Sequence, residues 1–256
     1  MFYSRGYVLI LSKKLTSLVG KTNAKYELIK NKDKILVGFS GGKDSLSLIH
    51  ILKRMQKIAP YSFEFEAVTV SYGMGERLEF LKKHCDNHNI KHNIINTKIF
   101  EISKDKIRKN SSFCSFVSRM RRGHLYTYAK NNGFNKLALG HHLDDAVESF
   151  FMNMFYNGTM RTMPPIYEAA NKLKVIRPLM FCRERQLAGF AKDNNIETIN
   201  DENCPAFKTN IKMPHARAKT KKFLKLLETE NPKLFVSFKA SFANIQTDSF
   251  FNRGAV

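Results

Sequence analysis

The 256 residues are enough for one large α/β domain with appendages, and 43% hydrophobic content is ordinary for a globular protein. Lys and Arg number 43 against 22 Asp and Glu, so the formal charge of +21 points to a polyanionic partner such as nucleic acid, or to a lysine-rich composition alone. Four cysteines (85, 114, 182, 204) do not make a disulfide scaffold.

The chain opens on a basic helical prelude over 1–31, in which Leu9, Leu11, Leu15 and Leu18 share an approximately helical face. Gly20-Lys21-Thr22 is expected to interrupt it before a short helix at 24–29, with Lys13, Lys14, Lys21 and Lys25 facing solvent. Only a short apolar run, 7–11, precedes Lys13, so no secretory signal is expected. The run 150–156 is too short to span a bilayer, and the expected location is the cytoplasm.

From residue 34 strands alternate with helices. Expected strands are 35–39, 63–70, 93–99, 136–139 and 175–179; expected helices are 46–55, 76–88, 118–131, 143–156 and 183–194. This predicts an α/β domain over 32–199, built on a doubly wound, mainly parallel five-stranded sheet with right-handed crossovers. Ligands of such sheets sit beyond the carboxyl ends of the strands, where the turns at Ser40, 71–73 and Gly140-His141 fall. Residues 200–256 change character: Lys208, Lys212, His215, Arg217, Lys219, Lys221 and Lys222 make a basic region with a helix at 216–230, a solvated face or an RNA-facing one.

Three constellations carry chemistry. Ser40-Gly41-Gly42-Lys43-Asp44-Ser45 lies between the first strand and its helix. Glycines there let the backbone approach an oxyanion, while free N–H groups and the helix dipole face it. Lys43 adds a charge, and Asp44 can orient a magnesium ion on phosphates. Gly140-His141-His142-Leu143-Asp144-Asp145 closes the fourth strand, and its histidines and carboxylates suit a metal, a nucleotide site or a helix start. Ser118-Arg119-Met120-Arg121-Arg122-Gly123 is an arginine cluster suited to ATP or an RNA backbone, or to a solvated helix face.

The hexapeptide at 40–45 is identical to the pyrophosphate loop of the ATP pyrophosphatase superfamily. Together with Gly-His-His-x-Asp-Asp at 140–145 and Cys114 followed by the arginine run, the chain resembles the tRNA 2-thiocytidine synthetases. So do Asn153-Met154-Phe155-Tyr156 leading to Met163-Pro164-Pro165, and Ile176-Arg177-Pro178-Leu179 before Cys182-Arg183-Glu184. The resemblance implies an adenine nucleotide α-hydrolase-like core that adenylates the carbonyl oxygen of cytidine 32 in the tRNA anticodon loop and replaces it with sulfur. It implies ATP, Mg2+ and a [4Fe–4S] cluster, a homodimer, and a sulfur-donating protein such as a cysteine desulfurase. It assigns ATP to Ser40, Gly41, Gly42, Lys43, Asp44, Ser45, Gly140, His141, Asp144 and Asp145, with Lys43, Asp44, Cys114 and Cys204 catalytic. Arg119, Arg121, Arg122, Lys219 and Lys221 are the expected tRNA contacts.

The chain departs from this pattern at one position. The family pattern has Cys-x-x-Cys before Ser-Arg and a third, distant cysteine; here Val117 stands at the second position and Cys204 best matches the third. Iron–sulfur ligation needs thiolates, so Cys114 and Cys204 leave the set one short. Cys85 and Cys182 are expected in the core. The rival readings are a tRNA-binding protein that has lost thiolation and another RNA-adenylating enzyme, such as a tRNA lysidine synthetase relative.

Overall fold

A computed structural model describes residues 9–107, 113–199 and 216–250. Among the described residues six strands form one sheet: β1 (Asp33–Gly38), β2 (Phe63–Val70), β3 (His92–Ile95), β4 (Lys136–Ala138), β5 (Ile166–Glu168) and β6 (Lys174–Ile176). Their order is β3-β2-β1-β4-β6-β5, and every neighbouring pair is parallel except β5 with β6. The mainly parallel sheet stands as the alternation of strands and helices predicts; the count of five does not. The sixth strand, β5, is a three-residue edge strand behind Pro164-Pro165, too short to carry a period, and it exists through its pairing with β6.

The helices are α1 (Lys13–Tyr26), α2 (Lys43–Ile58), α3 (Glu79–Asn87), α4 (Ile99–Lys106), α5 (Phe113–Asn131), α6 (Leu143–Asn157), α7 (Glu184–Asp193), α8 (Ala216–Glu230) and α9 (Leu234–Ser241). β1 shows why the sheet is covered twice. Ile35 and Val37 bury into one apolar cluster with α1, α2, α3 and α7, whereas Leu36 buries into a second with α4 and α5. Successive side chains of a strand point to opposite faces, and all of these are fully buried. At the amino end of β1 the buried pair Asp33–Lys136, 2.6 Å, joins β1 to β4, and Lys136 also donates to the Leu28 carbonyl. The prelude is thereby tied to the sheet.

Local differences have local causes. The expected break at Gly20 is absent: α1 runs unbroken to a left-handed Glu27, φ 49°, because Leu15, Val19 and Thr22 bury one stripe across it. Burial outweighs the cost of one glycine. Gly20→Ala, with open space where the new Cβ would sit, is expected to raise stability by about 0.5–1 kcal/mol. A urea midpoint that falls rather than rises would contradict an unbroken α1.

The helix expected from 76 begins at Glu79, since the Glu76 carboxylate turns back to accept from the backbone N–H groups of Tyr72 and Met74. β3 stops at Ile95, and the chain then enters the unforeseen α4. Pro178 leaves β6 short of 179, with Met180 N–H closing a turn onto the Arg177 carbonyl.

The chain divides into two compact units. One comprises 1–142 and 164–214; the other comprises 143–163 and 215–256. Helix α6 thus groups with the C-terminal helices rather than with the sheet. In this second unit Leu143, Val147, Leu224 and Phe235 form an apolar centre, and Phe151 makes ring contacts with Phe155, Phe223 and Phe238. Arg217 of α8 binds Asp145 and, at 2.8 Å, Glu148 of α6. Among the described residues no helix is long and apolar enough to cross a membrane.

Candidate nucleotide site

The sheet order decides where a ligand sits. From β1 the chain winds outward through β2 and β3, then returns to β4 on the other side of β1. The carboxyl ends of β1 and β4 therefore flank the point where the winding reverses, the crevice used by open α/β sheets. The turn after β1 is residues 39–42, and the turn after β4 is 139–142.

Glycine is required at two places there. Gly41 has φ +78°, and an added Cβ would lie 2.7 Å from Ile199 Cδ1 and 2.9 Å from Leu81 Cδ2. Gly140 sits against the start of α2, where a Cβ would be 3.1 Å from the Ser45 nitrogen. Ser45 pins the loop: its hydroxyl donates to the Gly42 carbonyl at 3.0 Å and accepts from Ser40 N–H at 3.2 Å. On the other side Ile199 N–H donates to the Gly41 carbonyl at 2.9 Å. Below, Phe39 N–H donates to Val68, and the Thr69 hydroxyl donates to Phe39. The loop is thus held from three directions, with α2 beginning beneath it.

Lys43 stands at the first position of α2 with Nζ 3.1 Å from Glu184 and 3.3 Å from Asp44. Burial pushes its ammonium group down, but the carboxylates of Asp44 and Glu184 outweigh that and hold it above its usual value. Lys43 therefore stays charged at neutral pH. Asp44 also approaches His142, Oδ1 to Nε2 3.7 Å. His141 Nδ1 accepts from Arg177 Nε at 3.2 Å, while Arg177 donates to the Pro164 carbonyl and lies 5.1 Å from the Tyr167 ring.

An open cleft of about 980 Å3 adjoins the loop, lined by Ser40, Gly42, Lys43 and Asp44, by Thr69, Val70 and Tyr72 at the end of β2, and by 76–80, Arg121, Thr198 and Ile199. This volume suits a nucleotide, with backbone N–H groups and Lys43 at the phosphate end. Glu76 shapes the far wall. Burial pushes its carboxyl up, but backbone N–H groups and the Ser71 hydroxyl hold it below its usual value, so it stays ionised and keeps the loop folded. Arg121 crosses from α5: its guanidinium lies 5.5 Å from the Tyr72 ring and donates to the Tyr72 hydroxyl at 3.0 Å. Its buried Nε has no partner among the described residues, a donor left for a ligand.

Of the residues singled out in the sequence, Ser40 to Ser45 and Gly140 come together here, and His141, in the same turn as Gly140, accepts from Arg177. Arg121 joins this cleft instead of the exposed surface of Arg119 and Arg122. Lys219 and Lys221 are exposed on α8. Asp144 and Asp145 open α6 in the second unit, where burial pushes the nearby Glu148 carboxyl up against the opposing pull of Arg217. Cys204 and the side chain of Cys114 lie outside the described residues. Cys85 and Cys182 are buried free thiols, each pushed up to about 12 by burial, as inert core cysteines should be. Glu184 and Arg177 stood in the sequence only inside longer motifs, since each acts through a partner distant along the chain; Glu76 acts on Ser71, Tyr72 and Met74 close by, but a single carboxylate beside a turn gives no sign of that.

A family model described as the PP-loop domain matches residues 10–213. The chain is 38% identical over 243 residues to a protein of Geobacter metallireducens named tRNA-cytidine(32) 2-sulfurtransferase, covering 94% of this chain and 93% of that one. It is 39% identical over 236 residues to the protein of that name from Geobacter sulfurreducens, covering 91% and 90%. Among solved structures it is similar to the U34-tRNA thiolase NcsA from Methanococcus maripaludis with its [4Fe–4S] cluster, at TM-score 0.71, 22% identity, and 91% and 79% coverage. That likeness is one of fold.

Proposed function

The chain belongs to the PP-loop family and within it to the tRNA-cytidine(32) 2-sulfurtransferases, and from this premise we propose that it uses ATP to replace the 2-oxygen of cytidine 32 in tRNA with sulfur. The observation that carries the reading is the loop at 40–45, with Gly41 left-handed, Gly140 pressed on the start of α2, and Lys43 poised beside the cleft. A pyrimidine carbonyl oxygen is a poor leaving group. Its attack on the α-phosphorus of ATP expels pyrophosphate and converts it into part of AMP. The loop N–H groups and Lys43 stabilise the departing pyrophosphate, a charge that grows as the bond breaks. A sulfur nucleophile then attacks C2, the C–O bond breaks and AMP leaves.

Asp44 is a carboxylate at the cleft beside Lys43, which fits a magnesium ion held by one protein oxygen and the phosphates. When bound, the ion offsets charge on the triphosphate. Asp144 and Asp145 complete the nucleotide residues in this reading. Arg119, Arg122, Lys219 and Lys221 contact the tRNA backbone, Arg121 serves the cleft, and the protein works as a cytoplasmic homodimer supplied by a cysteine desulfurase. The donor set does not fit a [4Fe–4S] cluster held by three cysteines, because Val117 offers no lone pair and is buried among apolar side chains. That observation favours a second reading, a tRNA-binding protein that keeps the ATP site and has lost thiolation.

The test supplies purified protein with tRNA, ATP, Mg2+ and sulfide under anaerobic conditions, followed by mass spectrometry of tRNA nucleosides. The expected result is 2-thiocytidine together with AMP and pyrophosphate. AMP without 2-thiocytidine selects the second reading, and ADP as product overturns both. In the same preparation tRNA affinity should fall steeply with salt, and charge reversal at Lys219 and Lys221 should reduce the log–log slope by about one per lost contact.

A further inference from the structure

Three histidines that the nucleotide site does not use meet between α2 and α3. His50 lies on the buried face of α2, and His84 and His88 are a turn apart at the end of α3. One ring nitrogen of each lies within 4.8 Å of the other two. The closest pair, His50 Nε2 and His84 Nε2, is 2.7 Å apart, and the His88 ring centroid is 4.8 Å from each of the other two.

We propose that His50, His84 and His88 form a three-nitrogen site for a divalent transition metal ion of the zinc class, tying α3 to α2 beside the nucleotide cleft. Zinc takes imidazole nitrogens at about 2.0–2.1 Å in tetrahedral geometry, which sets neighbouring nitrogens about 3.3 Å apart. The present spacings bracket that value. Closing the three nitrogens onto one ion needs small side-chain rotations, and the torsion of a histidine ring about χ2 is broad.

Packing alone accounts poorly for the arrangement. A buried imidazole is expected to send its nitrogens to carbonyls, hydroxyls or water, yet the His50 Nε2 faces another imidazole nitrogen. Two such atoms can share one proton; three converging ones suit a cation. The cluster is also reachable. His84 and His88 line a second cleft of about 510 Å3 with Lys83, Asn87, Asn194 and Glu197, leaving room for a water or an anion as fourth ligand.

The position suggests a consequence. Phe80 and Glu197 line both clefts, so an ion that staples α3 to α2 steadies a wall of the nucleotide site. Imidazole donors favour zinc among available ions but also accept copper, nickel or cobalt, so the ion is assigned by class.

Metal content and calorimetric titration with Zn2+ test the site after chelator treatment, using the full chain with Cys114→Ser and Cys204→Ser so that no motif thiolate competes. One equivalent should bind, and a hundredfold excess over Kd should raise Tm by about 5–10 °C. Adding His84→Gln or His88→Gln should weaken binding by at least about a hundredfold. Co2+ in the histidine-intact protein should give visible bands without thiolate charge transfer, a readout that needs no histidine variant to fold. Absence of stoichiometric Zn2+ binding, or binding that both glutamine variants leave unchanged, overturns the site. None of these measurements involves ATP, tRNA or turnover, so their failure is distinct from failure of the thiolation reading.

Discussion

Lys43→Ala is expected to slow ATP-dependent release of AMP and pyrophosphate by about 10²–10³-fold or more, with the fold intact. The reason is electrostatic. Removing one preorganised group that meets a developing oxyanion costs about that factor in well-measured cases. Here the loss is compounded, because Lys43 separates Asp44 from Glu184, and without it both carboxylates face the incoming phosphates. Asp44→Asn should be comparably slow, but high magnesium should recover part of its rate, since the lost interaction is with the ion. No magnesium concentration should recover Lys43→Ala. Glu184→Gln should cost much less, because that side chain orients Lys43 without meeting phosphate. Pyrophosphate release and urea unfolding, measured on all three, decide the matter. Full turnover in Lys43→Ala would remove the loop from the chemistry.

Particular residues show how far the sequence alone could lead. The strand before Ser40 was legible because a parallel strand is buried on both faces, so 35–39 is one apolar run. The loop was legible because glycine at a left-handed, crowded position is a backbone requirement written directly into the chain, as at Gly41. Tertiary pairing left no comparable trace. β5 is a strand only because Tyr167 pairs with Val175 across the turn. α1 passes Gly20 because of what its buried stripe touches. Glu184 belongs to the site through a contact with Lys43 across more than a hundred residues of chain. The arginine run at 119–122 shows the same boundary in a finer way. Spacing identified a basic face, while only the packing of α5 separates Arg121, against Tyr72 in the cleft, from the exposed Arg119 and Arg122.

Val117→Cys is expected to convert a chain that holds iron poorly into one that holds close to one [4Fe–4S] cluster. Cys114 and residue 117 are one helical turn apart on α5, the spacing of a Cys-x-x-Cys pair, and the valine removes a ligand without removing the helix. The side chain of Val117 is 6% exposed and packs in the cluster that contains Leu36, Ile99, Phe113 and Leu125. Exchanging it for the smaller cysteine should cost about 0.5–1.5 kcal/mol of apo stability, well within what a domain of this size tolerates. A thiol at that depth stays protonated until iron displaces the proton, so assembly should release protons and proceed slowly. Anaerobic reconstitution of both proteins side by side, with iron and acid-labile sulfide content and the visible absorption band, measures the effect. Cys85→Ser and Cys182→Ser should change nothing in either background, because both thiols are buried in the core away from solvent. A full and stable cluster in the unmodified chain would show that a group other than a cysteine at 117 completes the set, and would remove the reason that Val117 gives to doubt thiolation.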